Sequence, residues 1–326
     1  MPRSLARIPL IAALTLLAFA GAAGARAAWP ERPITLVVPS PPGGPTDVVA
    51  RLVVPGMAAA LGQPVVIQNV PGSAGVIGLE RLVRATPDGY TLALSGDAAV
   101  VVRVSMEPRP PYDPLRDLAP ISQIAIAPNI LVVANAVPAR DVQGLIALAR
   151  SRPGTMSYAH SGPGTSQHIA GELLRQTAGI DIVGVSYNNA GAQAQDVLTG
   201  RVTMGFGSVV ATLPRIRSGD WRALGVSSAE RIAAAPEIPT VAEQGLPGFV
   251  AAAWFGLLAP AGTPPPIIDR VHRDAVAALR APELQPRLLE LGIQPVGNTP
   301  AEFAAHIARE IPRMAAVLEG AGLGAR

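Results

Sequence analysis

The strongest constraint on the fold is a strand, a rigid loop and a helix that follow one another without a gap. Residues 34–38 form a β-branched and aliphatic run that predicts a buried strand. Residues 39–47 read PSPPGGPTD, and an apolar stretch at 46–61 predicts a helix that begins with Thr46 and Asp47. Because a helix start presents unpaired N–H groups and the positive end of its dipole, this order predicts a backbone site for an anion.

The loop itself has the composition of such a site. Gly43 and Gly44 allow a close approach of the backbone to a ligand, while the prolines, including Pro42, fix φ and stiffen the loop. A rigid turn without a ligand explains the same residues equally well. A nucleotide P-loop is excluded, because the chain contains no lysine and lacks the GxxxxGK[ST] spacing. The G-x-G-x-x-G spacing of dinucleotide sites is also missing from this loop.

The N-terminus has the pattern of a secretory signal peptide. Arg3 and Arg7 precede an apolar run at 8–20, and residues 25–27 read ARA, a small-x-small cleavage pattern. We expect cleavage after Ala27 and a periplasmic location. The apolar run is too short to span a membrane, and a retained N-terminal anchor is the alternative.

Charge and cysteine content exclude several classes of function. The 326 residues carry 26 basic residues, all of them arginine, against 23 acidic ones. Three of these arginines lie in the predicted signal peptide, so the mature chain is near neutral and gives no sign of a nucleic-acid partner. Without cysteine, the chain has no disulfides, thiolate metal sites or cysteine nucleophiles. The length predicts about two domains, each with an ordinary hydrophobic core.

The strand–loop–helix order recurs along the chain and predicts parallel sheets in two α/β units. Residues 108–114 form a proline-rich surface loop, and the apolar runs at 121–127 and 130–134 predict the first passage between domains. In the second half, the loop HSGPGT at 160–165 lies between a predicted strand and a predicted helix at 166–178. Two such units predict a ligand cleft at the carboxyl ends of their strands.

Several stretches of the chain occur together in an order typical of one family. Trp29-Pro30 is followed by PITLVVPSPPGGPTD, PDGYTLALS, PYDPLRDLAPISQIA, SGPGTSQHIAGELL and WFGLLAPAGTPPPII. The set resembles the Bug-type substrate-binding proteins of tripartite tricarboxylate transporters and extends from about Trp29 to the C-terminus. The resemblance implies an α/β, two-lobed periplasmic-binding-protein fold (type II-like) with a ligand cleft between the lobes.

The resemblance also implies a domain order and a function. Residues 1–27 are expected to form the signal peptide, 28–127 with 251–326 the first lobe, and 128–250 the second lobe. The expected function is that of a periplasmic receptor, a monomer, which captures a small carboxylate-bearing molecule and delivers it to the membrane subunits of a tripartite tricarboxylate-type transporter. No catalysis, cofactor, metal or nucleic acid is expected.

In such a site, a ligand carboxylate is held between the two glycine-rich loops by backbone groups, small hydroxyls and waters. By position, the resemblance assigns ligand binding to Pro42, Gly43, Gly44, Thr46, Asp47, Ser95, Gly96, Asp97, Ser161, Gly164, Thr165, Ser166, His168, Tyr187 and Ser208.

The sequence departs from the family pattern at pocket positions. Residues 186–190 read SYNNA where family members often read PYKGG, and Gly207-Ser208 replaces a common Asp-Asn pair. Asp97 follows the third strand, where small or hydroxyl residues are usual. If Asp47 and Asp97 both face the cleft, their charges disfavour a bare dicarboxylate and favour an amine-bearing, neutral or aromatic mono-carboxylate.

Two other functions use the same residues. A hydrolase would combine Ser161 or Ser166 with His168, but no G-x-S-x-G elbow is present, and Ser166 and His168 lie on different sides of a helix. His168 and Glu172 share a helical face, but a metal site needs more ligands than this pair. A solute sensor that signals to a membrane partner without transport would need the same cleft.

Overall fold

The computed structural model describes residues 29–324, so the predicted signal peptide at 1–27 lies outside the described residues. Within 29–324, none of the helices combines the length and the apolar character needed to span a lipid bilayer. The chain forms two β-sheets with helices packed on them, which confirms the predicted two-lobed α/β class.

The first lobe is built on a sheet of six strands with the order β11-β4-β10-β3-β1-β2. Its strands are β1 (Ile34–Val38), β2 (Val65–Asn69), β3 (Thr91–Gly96), β4 (Leu118–Ala127), β10 (Ala253–Pro260) and β11 (Gln294–Pro295).

The second lobe is built on a sheet of five strands with the order β7-β6-β8-β5-β9. Its strands are β5 (Asn129–Ala134), β6 (Met156–His160), β7 (Ile182–Ser186), β8 (Met204–Ser208) and β9 (Trp221–Val226).

Ten α-helices connect and cover the strands in the described part of the chain. They are α1 (Pro45–Leu61), α2 (Val76–Val83), α3 (Arg103–Met106), α4 (Val142–Ser151), α5 (Ser166–Ala178), α6 (Ala190–Leu198), α7 (Val209–Arg217), α8 (Pro265–Leu279), α9 (Gln285–Leu291) and α10 (Pro300–Gly320).

The predicted parallel pairing is confirmed for β1 with β2 and β3, and for β6 with β7 and β8. Both sheets as a whole are mixed, however, so the prediction of entirely parallel sheets is wrong. In the first sheet β10 runs antiparallel to β3 and β4, and in the second β5 runs antiparallel to β8 and β9. The cause is the route of the chain between the lobes. Only Pro128 separates β4 from β5, so no crossover helix turns the chain to bring β5 in parallel. A segment without helix or strand at 241–252 leads back to β10 in the same way.

Helix α1 continues through Pro55, although Pro55-Gly56 predicts a kink or an early end. Pro55 lies on the exposed side of the helix, where water can bind the carbonyl group that loses its N–H partner. Gly56, the next residue, faces α8, and a Cβ there would come within 2.6 Å of the Ala278 Cβ. The glycine therefore allows α1 and α8 to pack closely.

The spacing of apolar residues in the C-terminal part of the sequence predicts two helices with one apolar stripe each, and both stripes lie in the core of the first lobe. All four predicted residues of α8 are buried, and so are four of the five on α10, where Ile311 is half-buried. Phe303 of α10 is fully buried and meets Trp254 of β10 edge to face, with 5.5 Å between the ring centroids. The stripes are Ile268, Val271, Ala275 and Leu279 on α8, and Phe303, Ile307, Ile311, Met314 and Leu318 on α10.

Replacing Gly256 of β10 with alanine is expected to destabilise the fold. The added Cβ would lie 2.1 Å from Cζ of Phe303, and overpacking of this kind costs about 1–3 kcal/mol. Urea unfolding of the variant measures the loss. Gly96→Ala, on the neighbouring strand β3, is the matched control because its Cβ would come no closer than 3.6 Å to another residue. Equal destabilisation by the two substitutions would contradict this account.

Candidate functional site

The first glycine loop joins β1 to α1 and is closed by hydrogen bonds of its own. The Gly44 N–H donates to the carbonyl oxygen of Pro41 at 3.0 Å, and the Gly43 N–H donates to Oδ2 of Asp47 at 2.8 Å. Gly43 has a φ of +79°, a left-handed conformation that glycine adopts without strain. Both N–H groups are therefore used inside the loop, whereas the sequence prediction directs them to a ligand.

Asp47 is the centre of this arrangement. Its side chain is 1% exposed and accepts hydrogen bonds from Nε of Arg51 at 2.7 Å and from Nδ2 of Asn69 at 2.9 Å, besides the Gly43 N–H. These donors outweigh the cost of burial and lower the pKa of Asp47 to about 2, with the Arg51 hydrogen bond as the largest cause. Asn69 also donates to the carbonyl oxygen of Ser40 at 3.0 Å. Asp47 thus holds the loop as a neutralised, buried carboxylate.

The start of α1 presents other donors. The N–H groups of Thr46 and Asp47 donate no hydrogen bond to any described residue, as expected for the first turn of a helix. Pro42 is exposed at the tip of the loop and supplies no donor. At this end of the first lobe, the groups available to bind an anion are therefore the N–H groups at the start of α1. The glycine loop holds its shape beside them.

The second glycine loop, between β6 and α5, uses histidines as acceptors. The Gly162 N–H donates to Nδ1 of His160 at 3.1 Å, and the Gly164 N–H donates to Nδ1 of His168 at 3.3 Å. Both imidazoles are nearly buried, and their ring centroids lie 4.4 Å apart. Burial lowers the pKa of each histidine, and for His168 the neighbouring His160 lowers it further. A neutral ring can keep Nδ1 unprotonated as an acceptor.

Thr165 caps the helix that follows this loop. Its Oγ1 accepts a hydrogen bond from the His168 N–H at 3.3 Å and donates one to the carbonyl oxygen of Gly162 at 2.8 Å. The N–H groups of Ser166 and Gln167, in the first turn of α5, have no acceptor among residues 29–324. The second loop therefore repeats the first: a closed glycine turn with unpaired N–H groups at the helix start beside it.

Below the second loop, Tyr158 and Glu172 complete the cluster of buried polar groups. The Tyr158 hydroxyl donates to Oε1 of Glu172 at 2.7 Å, and Arg175 pairs with Oε2 of the same carboxylate at 2.8 Å. Both carboxylate oxygens of Glu172 thus already have a partner, Tyr158 for Oε1 and Arg175 for Oε2. The described residues contain no group of three side chains of the types that hold a metal ion.

Asn129 lies beside the candidate site, although no sequence pattern predicts it. It begins β5, directly after Pro128, and its Nδ2 donates to Oγ of Ser166 at 3.1 Å. Its strand partner is Ser208, which is exposed at the end of β8 and precedes α7. Ser161, at the end of β6, donates through Oγ to Oε1 of Gln167 at 2.6 Å. The second lobe therefore gathers several small polar groups at one edge of its sheet.

The third predicted group lies at the end of β3. Ser95 is fully buried, and Gly96 pairs with Phe255 of β10. Asp97 is half-buried, and burial raises its pKa to about 7 because it disfavours the charged carboxylate. The N–H of Ala98 acts to lower this pKa, and the nearby charge of Glu310 raises it further. Of the two carboxyl groups among the predicted ligand-binding residues, Asp47 pairs with Arg51, whereas Asp97 has no cationic partner among the described residues.

Tyr187 follows β7 and is engaged within the second lobe. Its hydroxyl donates to Oδ2 of Asp196 at 2.8 Å, and its N–H donates to the carbonyl oxygen of His160 at 2.9 Å. The N–H therefore ties the chain after β7 to the strand end that precedes the second glycine loop, while the phenol holds it against α6.

The two lobes touch next to the second loop. A Cβ on Gly164 would lie 3.2 Å from Cγ1 of Val102 and 3.5 Å from Sδ of Met106, both at α3 of the first lobe. Farther along, Nε2 of Gln176 donates to the carbonyl oxygen of Val317 at 2.9 Å, which joins α5 to α10. The structure thus brings the second loop to the border between the lobes.

The histidine pair predicts a loss of stability in mild acid. Because folding lowers both pKa values, the unfolded chain takes up protons first, and stability falls as the pH drops from about 6.5 by up to about 1.4 kcal/mol per pH unit for each histidine. The double substitution of His160 and His168 by Asn, which keeps an acceptor without titrating, should flatten much of this slope. Half-buried His306, whose pKa is also lowered by burial, supplies the remainder.

Urea unfolding at several pH values between about 7 and about 5 measures this slope. His272→Asn, on α8 away from the loop, is the control. An unchanged slope in the double variant would contradict the assignment of Nδ1 as acceptor.

Asp47→Asn is expected to destabilise the protein at neutral pH by about 1–3 kcal/mol, because the amide places a second donor against the Gly43 N–H and removes the charge that binds Arg51. With a pKa of about 2 against 3.8, the stability due to Asp47 is present above about pH 4 and lost as the pH falls towards 2. The difference between variant and wild type in unfolding midpoint should shrink over that range. Asp220→Asn, at an exposed position, is the control.

Comparison with known proteins identifies the family. The family model described as "Tripartite tricarboxylate transporter family receptor" matches residues 49–323. The chain is similar to Protein BugT of Bordetella pertussis, with 39% identity over 295 residues, which is 90% of this chain and 90% of that protein.

Two solved structures extend the likeness to the fold. An R. palustris protein with adipate has 33% identity and a TM-score of 0.75, over 91% of this chain and 100% of that chain. MatC from Rhodopseudomonas palustris with bound malate has 33% identity and a TM-score of 0.71, over 89% of this chain and 100% of that chain. The chain therefore belongs to the receptor family of tripartite tricarboxylate transporters, the family that its sequence resembles, and is a two-lobed solute-binding receptor.

Proposed function

We propose that this receptor captures a small carboxylate in the cleft between its lobes and delivers it to the membrane subunits of a tripartite tricarboxylate-type transporter. The observation that carries the proposal is the pair of helix starts beside the glycine loops, α1 and α5, each with unpaired N–H groups in its first turn. Adipate and malate, with which two similar proteins were solved, are both carboxylates.

The energetics favour several donors acting together. A receptor with micromolar affinity needs about −8 kcal/mol. One helix start contributes about 0.3–1 kcal/mol to a bound anion, and about 2 kcal/mol when partly buried. Two helix starts are therefore insufficient, and charge-assisted hydrogen bonds at about 1.5–3 kcal/mol each must supply most of the affinity. The N–H groups of Thr46, Asp47, Ser166 and Gln167 and the hydroxyl of Ser208 are our candidates.

The predicted residues have three roles in this proposal. We assign Thr46, Ser161, Ser166 and Ser208 to ligand contact, together with the backbone N–H of Asp47. The remaining predicted residues frame the site: Asp47 by its side chain, Pro42, Gly43, Gly44, Ser95, Gly96, Gly164, Thr165, His168 and Tyr187. Asp97, without a cationic partner, limits the negative charge that a ligand can carry next to β3.

We further propose the lobe boundaries 28–127 with 251–326, and 128–250. The change of sheet at Pro128 and the return through residues 241–252 support these limits. A signal peptide at 1–27, periplasmic location, a monomeric state and the absence of catalysis complete the proposal. The receptor role of the family supports its extracytoplasmic part.

The proposal is tested by thermal unfolding of the purified protein with citrate, succinate, aspartate, glutamate, nicotinate and terephthalate. A ligand that binds only the folded state adds about 2.7 kcal/mol of stability at a hundred times its dissociation constant, which gives a clear shift of the midpoint. At least one of these acids should give such a shift. The protein is first freed of bound solutes by unfolding and refolding. If none of the acids then shifts the midpoint, the result contradicts carboxylate binding.

A loop variant links that binding to the cleft. Gly44→Leu should abolish the ligand-induced shift, because the bulky side chain would stand beside the start of α1. The fold should persist, since φ is −69° and the added Cβ, 3.1 Å from the Pro41 carbonyl oxygen, needs a shift of only a few tenths of an ångström. Ala59→Leu, at an exposed position near the other end of α1, is the control. Intact affinity in the Gly44 variant would place the site elsewhere.

A further inference from the structure

A cavity of about 370 Å³ lies in the second lobe, in the groove between α6 and α7. Ser161 and Ser208, at the carboxyl ends of their strands, line it next to the cleft. Trp221 lines it at the other end, because β9 begins where β5 ends. On β5, Asn129 pairs with Ser208 and Ala134 pairs with Trp221. These two positions are five residues apart, which corresponds to about 17 Å along a strand. The cavity therefore runs from the cleft into the body of the lobe.

The walls of this side pocket are mainly apolar, with Gln167, Gln193 and Thr212 as further polar residues of the lining. Val132 of β5, Val197 of α6 and Phe206 of β8 are buried residues that line it, and Ala194 adds a methyl group from α6. No acidic side chain occurs among the described residues that line it. The volume lies within the range of ligand sites and suits a hydrocarbon chain or ring.

Arg215 gives the inner end a positive charge. Its guanidinium carbon lies 5.1 Å from the centroid of the Trp221 ring, a cation–π arrangement. Arg215 forms no ion pair with any residue of the described part of the chain. A planar guanidinium without a carboxylate partner, at the end of an apolar pocket, is suited to bind a carboxylate.

We propose that this side pocket binds the distal half of an elongated dicarboxylate, with its apolar spacer between α6 and α7 and its second carboxylate on Arg215. The inference rests on the proposed carboxylate site, where the first carboxylate binds. Arg215 follows Ser208 by seven residues of α7, so the two carboxylates are separated by about 10 Å. This placement also removes the expected conflict with Asp97, which is not part of the pocket lining.

The test compares azelate, an α,ω-dicarboxylate of suitable length, with succinate by titration calorimetry. Ala194→Met fills the pocket, and Ala192→Met, exposed on the same helix and outside the lining, is its control. Arg215→Gln removes the charge, and Arg217→Gln is its control. Each pocket variant should weaken azelate binding about 10- to 100-fold. Succinate should change less than about 2-fold, since it ends before the pocket, and the controls should match the wild type.

The possible results separate this inference from the proposed function. If succinate binds the wild type but azelate does not, or if both pocket variants bind azelate like the wild type, the side pocket is overturned and the carboxylate site stands. Equal losses of both ligands in the pocket variants would also overturn it, because they would indicate a general change in the cleft. If neither acid binds the wild type while another carboxylate does, only the inference fails. Binding of no carboxylate at all overturns both.

Discussion

The site depends on acceptors that close its two glycine loops. A tight turn leaves backbone N–H groups that need partners, and this chain provides them from buried side chains: a carboxylate for Gly43, and imidazoles for Gly162 and Gly164. The loops are thereby shaped before any ligand arrives, and the helix starts beside them keep their own N–H groups available. Preorganisation of this kind reduces the cost of ordering the site on binding. Asp47 and the two histidines are thus as important to the candidate site as the residues that we propose to contact a ligand.

Much of the fold could be predicted from the sequence, because strand, loop and helix signals are local. The apolar runs, the helix start at Thr46 and the stripes of α8 and α10 are all patterns within one element. The antiparallel strands could not be derived in this way, since they depend on how the chain crosses from one lobe to the other at Pro128. The continuity of α1 through Pro55 likewise depends on which side of the helix faces solvent.

The place of the two glycine loops between strand and helix could be predicted from the sequence, but the hydrogen-bond partners of each residue could not. The sequence locates both glycine loops. The partners of Asp47 on α1 nevertheless include Asn69, which lies 22 positions away on strand β2. Asn129 carries no signal beyond its place after a proline, and its contact with Ser166 spans 37 residues. The side pocket is formed by α6, α7 and three strands, so no single stretch of sequence indicates it. Local patterns therefore predict where polar groups occur, and tertiary pairing decides which of them remain free.

The two connections between the lobes are both short, and this has a mechanical consequence. The outgoing link is the single residue Pro128, whose φ is fixed by its ring. The returning chain stays packed in the core of the second lobe as far as Ala251, and β10 begins at Ala253. The two links lie side by side, because the start of β10 pairs with the end of β4. A rotation of one sheet relative to the other would therefore turn about an axis through both links. Asn129 follows Pro128 and holds Ser166 at the start of α5, so the donors of the second lobe would turn nearly in place while the far ends of the lobes sweep wider arcs.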